Sequence, residues 1–128
     1  MAFILVADDM PELREVYKRH LEDAGHRVIT AINGAAAIDA ALELGPELIL
    51  MDIEMPELDG ISALRQIKTN ERFQSIRQIP IVLLTCHALP DQITEGIEAG
   101  CEAYIIKPLD PREIVEELGL LLSSGTLL

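Results

Sequence analysis

A chain of 128 residues with 49% hydrophobic and 25% charged side chains makes one globular domain, too short for two cores and too apolar for disorder. Its formal charge of -12 argues against a surface built to neutralise nucleic-acid phosphates, and no apolar run approaches the roughly 20 residues of a membrane-spanning helix. The opening MAFILVADDM lacks the basic flank and the length of a signal peptide, so the chain is expected in the cytoplasm, with Cys86 and Cys101 as free thiols.

Phe3 to Ala7 is an unbroken apolar pentad, the pattern of a short buried strand, and Asp8 and Asp9 follow it at once. Met10-Pro11 then opens a helix to Ala24, in which Leu13, Val16, Tyr17, Leu21 and Ala24 recur at three- and four-residue steps, closed by Gly25. Arg27 to Ile32 alternates as an edge strand does, and Asn33-Gly34 ends it. An alanine-rich helix from Gly34 to Leu44 follows and stops at Gly45-Pro46.

Glu47 to Gly60, ELILMDIEMPELDG, is the stretch the rest serves. Leu48 to Met51 is apolar throughout and ends in Asp52, as in a central strand buried on both faces whose last residue meets solvent. Met55-Pro56 and Asp59-Gly60 then force a shaped loop. Alone, an Asp in this place is more often a turn former or a cap than a reactive group. A helix from Leu58 to Asn70 turns Ile61, Leu64 and Ile67 inward, and Glu71 to Gln78 is a polar connection.

Ile79 to Leu84 is the fourth strand, ending in Thr85 and leading to Cys86-His87. A weaker helix from Leu89 to Ala99 has an apolar side reduced to Ile93, Ile97 and Ala99. Ala103 to Ile106 is the fifth strand, ended by Lys107-Pro108; Asp110 caps a final helix with Pro111 in its first turn and Ile114, Val115 and Leu118 on its buried side. The domain thus spans 1-122, with 123-128 a frayed tail. Leu118 to Leu122, broken by Gly119, reads either as a dimer face or as the last core-packing turn, so monomer or weak dimer is expected.

Five alternations of strand and helix demand a doubly wound α/β fold, a parallel sheet with helices on both faces and ligands bound beyond the carboxyl ends of its strands. Asp8, Asp9, Asp52, Thr85 and Lys107 all follow strands. Gathered together, three carboxylates repel one another and invite a hard divalent cation, for which Mg²⁺ is suited. No glycine-rich phosphate loop follows the first strand, which counts against a nucleotide or flavin site.

This set resembles the receiver domain of two-component response regulators, over about the whole chain: Asp8-Asp9, Asp52-Ile53-Glu54-Met55-Pro56 with Asp59-Gly60, Thr85, and Lys107-Pro108 stand where that family has its motifs. The resemblance implies a flavodoxin-like sheet of order 2-1-3-4-5 with five helices. It implies that Asp52 accepts a phosphoryl group from a histidine kinase or histidine phosphotransfer protein, with Mg²⁺ held by Asp8, Asp9, Asp52 and the Glu54 backbone carbonyl. Lys107 would meet the phosphoryl charge, Thr85 would move toward it, and Tyr104 would rotate into the space left. Glu54 and His87, each two residues beyond a motif residue, would flank the path of hydrolytic water and tune phosphate lifetime. The Lys107-Pro108 peptide would be cis.

The expected role is a stand-alone regulator, not an enzyme in its own right, whose helix four, strand five and helix five contact a downstream protein. No DNA-binding domain is expected after residue 128. A phosphorelay intermediate handing the group to another histidine is the nearest alternative. A Mg²⁺-dependent phosphohydrolase lacks a second general acid at a strand end, and the complete residue set disfavours a degenerate scaffold.

Overall fold

Strands made wholly of apolar residues need cover on both faces, and the computed structural model, which describes residues 2-87 and 89-123, supplies it. Among the described residues are five parallel strands: β1 (Phe3–Ala7), β2 (Arg27–Ala31), β3 (Leu48–Asp52), β4 (Ile81–Thr85) and β5 (Ala103–Ile106), hydrogen-bonded in the order β2-β1-β3-β4-β5. The helices between and after them are α1 (Pro11–Asp23), α2 (Gly34–Leu44), α3 (Gly60–Thr69), α4 (Pro90–Ala99) and α5 (Ile114–Ser123). Every residue of β3 and β4 is buried.

The two-residue period of a strand divides these side chains between two cores. Leu5, Ile49, Met51, Ile81 and Leu83 face Ile38 of α2 and Leu64 and Ile67 of α3. Ile4, Val6, Leu48, Leu50, Val82, Leu84 and Ile105 face Tyr17 and Leu21 of α1 and Ile114 and Leu118 of α5. Each fully buried Leu or Ile contributes about 1.5–3 kcal/mol, so the two layers together hold the sheet rigid beneath whatever sits on its edge. Among the described residues no helix is long and apolar enough to cross a membrane.

Local chemistry moves several boundaries from the expected ones. α3 begins at Gly60 rather than Leu58 because Asp59 caps it, its carboxylate accepting from the Ser62 N–H at 2.8 Å. β4 begins at Ile81 because Pro80 has no N–H to give the ladder; its carbonyl accepts from Ile49 instead, at 3.0 Å. Ile32 lies outside β2 and is exposed. The connection after α3 folds into a 3-10 stretch, Glu71–Ile76, and another, Pro111–Glu113, precedes α5.

The apolar side expected of α4 needs correction. Ile97 is 58% exposed, and the helix instead sets Gly96 against Leu83, a position where an added Cβ would lie 2.6 Å from the leucine side chain. A helix that approaches through glycine leaves its larger residues outside. Ser123 ends α5, so the expected tail starts inside a helix at that residue, and 124-128 lie outside the described residues.

At the foot of the sheet the Ala2 N–H donates to His26 Nδ1 at 3.0 Å, tying the start of β1 to that of β2. Burial, and secondarily the charge of the chain's amino terminus, lowers His26 from its ordinary value. The neutral ring is the form that accepts, so this contribution is complete above the unfolded-state value and is lost as pH falls through the folded one. Denaturation should therefore show a loss of stability as pH falls below the ordinary histidine range near 6.5, a component that disappears in His26→Leu. Unchanged pH dependence in that variant would count against it.

Candidate functional site

The carboxyl ends of β1, β3, β4 and β5 open onto one cavity of about 230 Å³, lined by Asp9, Met10, Asp52, Ile53, Glu54, Thr85, Cys86 and Lys107. Asp52 closes β3 and is buried, while its neighbour across the sheet, Asp8, is wholly so. Asp8 is held on every side: its N–H donates to the Ala31 carbonyl at 3.1 Å, its Oδ1 accepts from Met10 N at 3.0 Å, and its carbonyl accepts from Arg14 Nη1 at 2.8 Å. Arg14 thereby locks the first turn of α1 to the tip of β1. Asp9 is exposed at the cavity mouth, and carboxylate oxygens of Asp8, Asp9 and Asp52 all lie within 4.8 Å of one another.

Lys107 enters from β5. Its N–H donates to the Thr85 carbonyl at 2.7 Å, which continues the β4–β5 pairing by one residue and delivers the side chain to the site. The ammonium stands 3.0 Å from Asp8 Oδ2 and 3.3 Å from Asp52 Oδ2, with the Lys107 side chain only 6% exposed. Among the described residues every peptide bond is trans, Lys107-Pro108 included, which corrects the expected cis isomer. The ladder bond to Thr85 already aims the lysine, so the commoner isomer suffices.

Burial pushes the Asp52 carboxyl up to about 6; the Asp8 charge adds to this, while Lys107 and the Glu54 N–H, 3.3 Å from Oδ1, oppose it. Burial alone would lower Lys107, but the hydrogen bond to Asp8 and the charges of Asp52 and Asp8 hold its ammonium above its ordinary value. Because Asp52 sits above its unfolded-state value near 4, its ionisation costs stability, and that cost appears as pH rises from about 4 to about 6. Asp52→Asn should consequently be the more stable protein above about pH 6 without divalent metal, by on the order of 2 kcal/mol, with the gap closing below about pH 4. Urea titrations in chelator across that range check the sign.

Three carboxylates against one ammonium leave a net negative pocket of hard oxygen donors. That donor set suits a small divalent cation, and the open, exposed position of Asp9 gives such an ion a route in. Thr85 is buried at the cavity wall; its hydroxyl donates to the His87 carbonyl at 2.6 Å and accepts from the His87 N–H at 3.2 Å, so in this state it closes its own loop and is turned from the carboxylates. Glu54 lines the cavity, whereas His87 is exposed on the loop above it. Tyr104 is 41% exposed on the face of β5 opposite the buried Ile105.

Several residues that shape the site carry no motif. Gly60 lies so close to β3 that an added Cβ would overlap the Asp52 carbonyl oxygen, and Gly34 approaches the Leu58 carbonyl in the same way. Glu57 adopts a φ of 67°, and its carboxylate accepts from Asn33 Nδ2 at 3.1 Å, so the loop after Asp52 is braced on the start of α2. The sequence offered only turn-forming residues there, and a brace between loops 24 positions apart has no local signature.

A family model described as response regulator receiver domain matches residues 4–119. The transcriptional regulatory protein ResD of Bacillus subtilis is 38% identical over 119 residues, which are 93% of this chain and 47% of that protein. Response regulator Rre1 of Synechocystis is 37% identical over 112 residues, 87% of this chain and 47% of its own. The chain therefore spans about half the length of the curated relatives it matches. Among solved structures, the Vibrio cholerae chemotaxis protein CheY4 superposes with a TM-score of 0.82 at 28% identity, covering 94% of this chain and 98% of that one.

Proposed function

The chain belongs to the response regulator receiver family of two-component signal transduction, and from that premise we propose that Asp52 accepts a phosphoryl group from a phosphohistidine on a kinase or phosphotransfer protein. The observation that carries the reading is the convergence of Asp8, Asp9, Asp52 and Lys107 on one cavity with the ammonium between two carboxylates. Asp8, Asp9 and Asp52 with the Glu54 carbonyl would hold Mg²⁺, which supplies neutralisation of phosphoryl charge when bound.

An Asp52 carboxylate oxygen attacks phosphorus as the phosphorus–nitrogen bond breaks, and the departing imidazole nitrogen keeps the electron pair. Lys107 meets the charge on the transferred oxygens from the side of β5, and positioning supplies most of the remaining acceleration. Thr85 gives up the His87 carbonyl and donates to a phosphoryl oxygen, drawing its loop inward, and Tyr104 turns into the space left. Water returns the carboxylate along a path flanked by Glu54 and His87, which set the lifetime of the modified state.

Output leaves through α4, β5, α5 and the loop joining the last two, where Ile97, Tyr104, Ile106, Leu109 and Leu120 are exposed apolar side chains able to meet a downstream protein. The charge of -12 supports protein partners rather than direct contact with nucleic acid. To carry the domain from 1:99 to 99:1, phosphorylation must favour the active state by about 5.5 kcal/mol.

Incubation with Mg²⁺ and acetyl phosphate, followed by intact mass and peptide mapping, tests the reading. One phosphoryl group should appear on Asp52, none in Asp52→Asn and none in chelator; modification elsewhere, or without metal, defeats it. Adding histidine phosphotransfer proteins to the phosphorylated form separates a terminal regulator, which loses phosphate to water, from a relay member, which passes it on.

A further inference from the structure

Tyr17, midway along α1, is completely buried, its ring packed in the layer that holds Val6, Leu50 and Leu84. Its hydroxyl oxygen is buried too, and it has no hydrogen-bond partner among the described residues. A side chain on a helix leans toward the helix amino terminus, and α1 begins at the sheet edge where the site lies, so the phenol rises beneath the carboxylates. Its electrostatic neighbours are Lys107, Asp8, Cys86 and Asp52, one group from the end of each strand that frames the cavity. Burial, the largest influence, pushes the phenol up to about 12, so it keeps its proton wherever the domain works.

An unpartnered buried hydroxyl is costly, and a phenylalanine ring would fill the same apolar space without it. Lys107 has the complementary vacancy. An ammonium carries three protons; one is donated to Asp8 Oδ2, Asp52 Oδ2 stands at ion-pair distance, and at least one proton is left open. When the bond from Asp52 to phosphorus forms, that carboxylate loses its charge and the ammonium must turn toward the phosphoryl oxygens.

We propose that Tyr17 is a positioning residue for Lys107, its hydroxyl oxygen accepting a hydrogen bond from the ammonium as that group exchanges Asp52 for the incoming phosphoryl oxygens. Asp8 and Tyr17 then hold the ammonium from two sides while its third proton faces the transferred group. The hydroxyl's own proton is offered to the Asp8 carboxylate. This rests on the reading of Asp52 as phosphoacceptor.

Tyr17→Phe keeps the ring and removes only the oxygen. Its melting temperature should equal or exceed that of the parent, and its Mg²⁺ affinity by calorimetry should be unchanged. The rate constant for Asp52 phosphorylation at saturating acetyl phosphate should fall roughly tenfold, with the half-saturating concentration unaltered. At saturating Mg²⁺ the same change should have no further effect on Lys107→Met, because the group it positions is gone. In a Tyr104→Phe background Tyr17 is the sole tyrosine, and its ultraviolet difference spectrum should shift on phosphorylation. A parental rate in Tyr17→Phe, an equal slowing with and without Lys107, or a phenol spectrum indifferent to phosphorylation each overturns the inference while Asp52 is still modified. A parent protein that takes no phosphoryl group on Asp52 defeats the functional reading, and this inference with it.

Discussion

With Lys107 replaced by methionine, the metal-free domain should lose about 3–5 kcal/mol of stability at about pH 8. Methionine matches the lysine stem in length, so packing is largely kept and the loss isolates the charge. The ammonium is 6% exposed between Asp8 and Asp52, whose side chains are 0% and 6% exposed, and removing it leaves two buried carboxylates facing each other. Asp52 already stands at about 6 with Lys107 opposing the rise, and without that opposition it goes higher. The deficit is therefore greatest where both carboxylates are ionised and shrinks as pH falls and Asp52 takes up a proton, to less than half its value at about pH 5. Millimolar Mg²⁺ should recover much of it by linkage. Urea unfolding of the two proteins, in chelator and in Mg²⁺, measures all three effects; a loss below about 1 kcal/mol in chelator at the higher pH would contradict the picture of a desolvated ion cluster.

Gly60→Ala should cost the fold at least about 2 kcal/mol and slow phosphorylation on the order of 100-fold. The added methyl would overlap the Asp52 carbonyl oxygen and lie 3.0 Å from the Asp52 carbonyl carbon and the Ile53 Cα, all main-chain atoms with no side chain to swing aside. Since the Gly60 N–H also donates to the Ile53 carbonyl at 2.9 Å, the only relief is to move the end of β3, and the Asp52 carboxylate with it. Gly119→Ala is the matched control. A Cβ there meets nothing within 4 Å on an exposed helix position, and the helix should gain about 0.5–1 kcal/mol. If both substitutions behave alike, the close approach at Gly60 is not what sets the geometry of the site.

The elements that place the site were legible because burial on two faces leaves a plain mark: Leu48 to Met51 and Ile81 to Leu84 have no polar interruption, and a polar residue at the end of such a run stands out. Asp8, Asp52, Thr85 and Lys107 are those residues, and β2-β1-β3-β4-β5 order brings them together. What pattern could not reach depends on contacts between distant segments. The Asn33–Glu57 brace, the Arg14 bond to the Asp8 carbonyl and the orphan hydroxyl of Tyr17 each belong to residues whose type suits a cap, a solvated helix face or a core stripe equally well. The misplacement of Ile97 has a similar origin. Apolar spacing on a short helix cannot tell which of its faces a glycine will bring against the sheet.

Glu102, just before β5, accepts from the Ile81 N–H at 2.6 Å with one carboxylate oxygen and pairs with Lys68 of α3 at 3.2 Å through the other, and Lys68 in turn donates to the Arg77 carbonyl at 2.9 Å. The paired strands β4 and β5 are thus fastened at the root, on the edge of the sheet away from Thr85 and Lys107, and carry exposed side chains toward the tip. A beam clamped at one end deflects at the other, so a displacement imposed at the tips of β4 and β5 would be taken up on that outer flank while the root stays tied through Glu102 and Lys68.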